Sequence, residues 1–112
     1  MSEQQIMIRL KNGKLYLDCQ TYETFFRGLN SVALVKTETS ILLLPIVSDA
    51  SGGFLIKTMN MKGDKVVDAV DFMRQLNLDN PAELSLPVRW DKERGGLIIS
   101  SSDLPIFSGA GD

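Results

Sequence analysis

Near the start of the chain Ile6, Ile8 and Leu10 are interleaved with Met7 and Arg9. That period-two alternation predicts a half-buried strand. Asn12-Gly13 follows, a dipeptide suited to the positive φ angles of a tight hairpin, and Lys14 to Asp18 reads as the returning strand. The period then changes. Tyr22, Phe25, Phe26 and Leu29 fall at i, i+3, i+4 and i+7, one face of a short amphipathic helix. Thr21 is placed as its N-cap, with Gly28 or Asn30 ending it. Ser31 to Lys36 and Ser40 to Pro45 predict two more strands around the polar turn Thr37-Glu38-Thr39.

Ser48 to Gly53 is turn-forming and divides the chain, after which the order of elements repeats. Phe54 to Met61 is strand-like, Lys62-Gly63-Asp64 is a turn, and Lys65-Val66-Val67 returns. Ala69, Phe72, Met73 and Leu76 form the second helix face, offset from the first by 47 residues (69 minus 22, 72 minus 25). Asp68, with Asp71 three positions on, is placed as a capping-box-like pair at its start. Glu83 to Trp90 and Leu97 to Ser101 predict a last hairpin around the charged turn Asp91 to Gly96. The fold expected is α+β and strand-rich: two similar halves, about 5–47 and 54–101, each of hairpins plus one short helix. They form a single domain over 1–102, and 103–112 is read as a loose tail.

Composition adds boundaries rather than a function. A chain of 112 residues, 44% hydrophobic and 23% charged, is ordinary for a globular domain. The longest apolar run, Ile41 to Val47, is interrupted by Pro45 and falls far short of the roughly 20 residues of a membrane helix. The polar opening Met1-Ser2-Glu3-Gln4-Gln5 does not read as a signal peptide, and a single cysteine suits a reducing compartment, so a cytoplasmic location is expected. The net charge of −2 gives no global field for nucleic acid.

Candidate chemistry is thin. The chain has no histidine, which removes the commonest general base and metal ligand. Cys19 has no second cysteine for zinc and no histidine partner, and reads most simply as a small apolar residue at a strand–helix junction. The Asp68 and Asp71 carboxylates already have a capping role. Gly52-Gly53 and Gly95-Gly96 precede strands, not helices, and so do not form a phosphate loop. No catalytic, metal or cofactor residue is therefore assigned, and no enzyme is expected. Candidate binding residues fall in two sets. Arg9, Lys11 and Lys14 flank the first hairpin, and Lys57, Lys62 and Lys65 flank the second; as two matched patches they suit nucleic-acid phosphates, and as isolated charges they blunt strand edges. Arg89 and Trp90, with the apolar island Leu104-Pro105-Ile106-Phe107, suit a protein contact, the island by closing its own sheet or by adding to a partner's.

The order of elements resembles the swapped-hairpin barrel of the AbrB family, and two such units in one chain look like its MraZ branch. The residues carrying the likeness are Gly13-Lys14-Leu15-Tyr16-Leu17, the Phe25-Phe26 helix and Ser40 to Pro45. In the second half they are Gly63-Asp64-Lys65-Val66-Val67, the Phe72-Met73 helix and Gly96-Leu97-Ile98-Ile99. The resemblance implies a DNA-binding transcriptional regulator that uses Arg9, Lys11, Lys14, Lys62 and Lys65. The chain departs from the pattern where Lys14 and Asp64 replace the arginine after the turn glycine, and where Asp18 and Asp68 stand near the family's proline. An acid at a phosphate-facing site opposes DNA binding. The leading expectation is thus a non-enzymatic binding or assembly module of a bacterial cytoplasm, a homo-oligomer with no membrane partner. The DNA-binding regulator is the alternative, and an accessory subunit or chaperone of a larger enzyme is a third.

Overall fold

The computed structural model describes residues 6–46, 53–78 and 82–100. Asn12 and Gly13 take φ of 55° and 79°, the paired positive angles of a two-residue hairpin turn. They join β1 (Ile6–Lys11) to β2 (Lys14–Leu17) in the register the alternation predicts. Next come α1 (Cys19–Phe25), β3 (Ser31–Lys36) and β4 (Ser40–Pro45). The second half supplies β5 (Phe54–Thr58), β6 (Lys65–Asp68), α2 (Val70–Gln75), β7 (Leu84–Asp91) and β8 (Gly96–Ser100).

All eight strands form one closed antiparallel barrel in the order β1-β2-β6-β5-β3-β4-β8-β7. The halves are interleaved, not placed side by side. β2 pairs with β6, and β4 pairs with β8. Exchanging each strand for the one four places along the chain leaves this order of neighbours unchanged. Inside, Leu10, Leu15, Val67 and Ile56 face one another across four strands. Ile41 opposes Ile99, and Leu43 opposes Leu97. Each of these rows joins the core cluster, into which the helices insert Tyr22 and Met73 and their caps insert Phe26 and Ala69.

Both helices begin where a different residue wins the competition for the cap. In α1 the N-cap is Asp18, not Thr21: its carboxylate accepts from the Thr21 N–H at 2.8 Å, and Thr21 lies buried in the first turn. Asp and Thr are both good caps, and the one that can receive the third amide starts the helix. α1 stops at Phe25, but Phe26 and Leu29 continue its apolar face, and Gly28 at φ 79° turns the chain. In α2 the N-cap is Ala69, with no side-chain bond. Asp68 reaches only the Val70 N–H at 3.5 Å, and Asp71 turns to Arg74, so the capping box does not form. The first-turn bonds, Tyr22 N–H to Asp18 O and Met73 N–H to Ala69 O, equate Tyr22 with Met73. That offset of 51 (73 minus 22) is one helical turn from the 47 read off the sequence, so the apolar faces agree while the alignment slips.

The second hairpin is also shorter than predicted. β5 ends at Thr58, and the turn is built by Asn60, whose side-chain oxygen accepts from the N–H groups of Lys62 and Asp64 at 3.0 and 3.3 Å. Of the predicted turn at 48–53, only Gly53 is among the described residues, and the 103–112 segment lies outside them.

Each hairpin turn abuts the first residue of the other half's helix. A Cβ on Gly13 would stand 2.9 Å from the Val70 Cα, and one on Gly63 would stand 3.2 Å from the Cys19 Sγ. Gly28 has the same φ as Gly13 but open space around it. Gly28→Ala is therefore expected to cost only the left-handed backbone penalty, roughly 1–2 kcal/mol. Gly13→Ala should lose about 1–3 kcal/mol more because α2 has to shift. Urea titration of the two variants measures the difference; equal losses would mean that the turn does not pack on α2.

Candidate binding surface

Because β2 and β6 are neighbours, the two hairpins share one outer face. Register fixes its central row: Arg9 opposes Tyr16, Tyr16 opposes Val66, and Val66 opposes Lys57. The next row runs Lys11, Lys14, Asp68. The sequence reads these cations either as two matched patches or as isolated charges on strand edges; the barrel gathers Arg9, Lys11, Lys14 and Lys57 onto a single four-stranded surface. Arg9 lies over the Tyr16 ring at 5.7 Å and approaches Glu83 at 3.9 Å, a half-exposed pair that contributes little. Exposed apolar side chains accompany the cations: Met7, Leu55 and Met59, with Met61 at the tip of the second turn. Lys62 is exposed in that same turn.

Lys65 belongs elsewhere. It opposes inward-facing Leu17, its Nζ sits 4.6 Å from the Tyr22 ring centre, and it donates to Thr58 Oγ1 at 2.8 Å. The one-residue alternation of β6 turns Lys65 toward the helix and Val66 outward. Lys14 and Lys65 therefore do not occupy matching places.

Asp64, where the resemblance leads one to expect arginine, is engaged within the chain. Its Oδ1 accepts from the Cys19 N–H at 2.9 Å and its Oδ2 accepts from Asn60 Nδ2 at 3.0 Å. The start of α1 thus receives a carboxylate from its own half, Asp18, and one from the other half, Asp64. The Asn60 amide and then the Cys19 amide hold the Asp64 carboxyl below the ordinary 3.8. Asp91 is lowered likewise, first by Arg94, whose Nη1 is 2.7 Å away, while its other oxygen accepts from the Glu93 N–H.

Trp90 stacks on Phe25 with ring centres 5.1 Å apart and packs against the core, leaving Arg89 as the exposed member of that pair. The sheet closes through β1 and β7, with Ile8 opposite Leu86, so it needs no strand from the C-terminal island. Leu104, Ile106 and Phe107 lie outside the described residues. A groove of about 530 Å³ beside α1 and the start of β1 has Ile6, Thr21 and Phe25 on its walls. Among the described residues that line it, the carboxylate is Asp18, already committed as the helix cap. Among the described residues no three His, Cys, Asp or Glu side chains gather as metal ligands, and no helix is long and apolar enough to cross a membrane.

Fold and surface together define a closed eight-stranded antiparallel barrel with two short helices and a mixed basic and apolar outer face. No family model matches the chain, and no curated protein or solved structure matches it either.

The lowered Asp64 value has a sign that can be tested. A carboxyl whose folded pKa lies below its unfolded one stabilises the fold above the unfolded value, about 3.9, and loses that contribution as pH falls through the folded pKa. Asp64→Asn is expected to be less stable than the wild type at pH 7, with the gap narrowing on acidification below about pH 4. Denaturation midpoints at both pH values measure this, and a gap independent of pH would show that the Asp64 charge is not what the α1 terminus uses.

Proposed function

We propose that the chain is a non-enzymatic binding module whose ligand-facing surface is the outer side of β1, β2, β6 and β5. The observation that carries this reading is the row Arg9, Tyr16, Val66, Lys57. It sets a cation at each end of an aromatic and apolar middle, across three strand spacings of about 4.8 Å each. Flanking Met7, Leu55 and Met59 favour an acidic protein segment that also carries apolar side chains. Such a segment lies along the row, with its carboxylates over the cations and its apolar groups on Tyr16 and Val66.

The second reading is an AbrB/MraZ-like DNA-binding regulator, with the barrel taken as an α+β swapped-hairpin arrangement carrying both hairpins in one chain. It is favoured by the edge-to-edge pairing of β2 with β6, which presents Arg9, Lys11, Lys14 and Lys57 together. It is opposed by Asp68 in line with Lys14, and by an Asp64 carboxylate that serves α1 instead of leaving the place to a cation.

Fluorescence anisotropy at low salt separates the two, using a labelled acidic amphipathic peptide and a labelled duplex of about 20 base pairs. On the leading reading the peptide binds, and Arg9→Ala with Lys57→Ala weakens it about tenfold, or ~1.4 kcal/mol. On the second, the duplex binds, and each phosphate contact removed lowers the salt slope by about one. Failure of both probes to bind contradicts the assignment of this face.

A further inference from the structure

We propose that the outer side of β4 and β8 is the docking seat of the chain's own C-terminal segment, Leu104-Pro105-Ile106-Phe107. Along β4, Ile41 and Leu43 point into the core, so Leu42 between them points out; along β8, Leu97 and Ile99 point in and Ile98 points out. Leu42 and Ile98 are direct partners across the ladder and lie outside the core cluster, yet each is only 6% exposed. Outward residues elsewhere on the barrel behave differently: Leu55 is 57% exposed, and Val35, beside Leu42 on β3, is 41% exposed. Ser40 on the same outer side of β4 is buried as well. Further along, Leu44 lies across Gly96 so closely that a Cβ there would stand 2.5 Å from its Cδ2.

These two strands are therefore apolar on both faces, Ile41-Leu42-Leu43-Leu44 against Leu97-Ile98-Ile99, as in strands covered from both sides. The buried apolar side chains of the helices, Tyr22 and Met73, enter the core and not this outer face. The chain itself offers an apolar run in the right place. It leaves β8 at Ser100, and Leu104 begins four residues later, after Ser101-Ser102-Asp103. At about 3.3 Å per residue those three span roughly 10 Å, enough to reverse and reach back over Ile98. Docking is by side chains and not by strand addition. β4 is flanked by β3 and β8, and β8 by β4 and β7, so neither has a free edge, and Pro105 has no N–H to donate to one.

Two measurements test the proposal. In a Trp90→Phe background, Phe107→Trp gives a single reporter in the full chain. Its emission is expected to be blue-shifted and independent of protein concentration. Emission typical of water-exposed indole overturns the proposal, and a blue shift that grows with concentration overturns it in favour of docking onto a second copy. Removal of residues 103–112 is expected to raise dye binding to exposed apolar surface several-fold, and a synthetic 103–112 peptide should restore the original signal. The peptide should not restore it when Ile98 is changed to Lys. Unchanged dye binding on truncation, or restoration that ignores Ile98→Lys, overturns the assignment of this seat.

Discussion

The pairing of β2 with β6 is the interaction on which the rest of the molecule depends. Neither half can close a sheet on its own four strands. β1 and β2 make a hairpin, β3 and β4 another, and within a half these two hairpins never touch edge to edge. Pairing Lys14–Leu17 with Lys65–Asp68 joins the hairpins of the two halves and brings Leu15 against Val67 on the inner side. A two-stranded hairpin is marginal in water, whereas eight strands around one core bury both halves at once. Folding of the two halves is thus coupled through contacts distant in sequence.

That junction also fixes how the helices start. Once β2 lies against β6, each turn glycine meets the first residue of the opposite helix, Gly13 against Val70 and Gly63 against Cys19. The symmetry is broken in the polar chemistry. α1 receives the Asp64 carboxylate from across the junction, while Lys14, at the corresponding place in the first turn, faces outward beside Lys11. One half has spent its charge on holding a helix, and the other keeps its charge on the surface. The outer face is consequently basic on the β1–β2 side and mixed on the β5–β6 side.

Local features of this fold were legible in the sequence because their causes are local. Asn12-Gly13 specifies its own turn, and alternation in Ile6–Leu10 specifies which face is buried. The helix faces were found from spacing alone, although the cap positions were not, since Asp18 and Thr21 are both capable and only the packing of Thr21 decides between them. What could not be read was which strand lies beside which. The outward row Arg9, Tyr16, Val66, Lys57 exists only after β2 meets β6, and so two expected patches became one. Lys65 reads from the sequence as a cation flanking the second hairpin with Lys57 and Lys62, yet one residue of register turns it to the Tyr22 ring. The outward burial of Leu42 and Ile98 was hidden for a related reason: a continuous apolar run does not say which of its members face the core.

The most direct test of interlocking within one chain is a cross-link between residues that the junction places opposite each other. Tyr16 and Val66 are direct partners, and opposite residues in an antiparallel ladder stand about 4.5–5.5 Å apart at Cα, within disulfide range. With Cys19→Ser removing the native thiol, Tyr16→Cys and Val66→Cys together should oxidise to an intrachain disulfide, running as a monomer on a non-reducing gel. A disulfide-linked dimer would mean that the hairpins pair between chains, and no cross-link at all would mean that β2 and β6 are not neighbours; either result contradicts a barrel closed within a single chain.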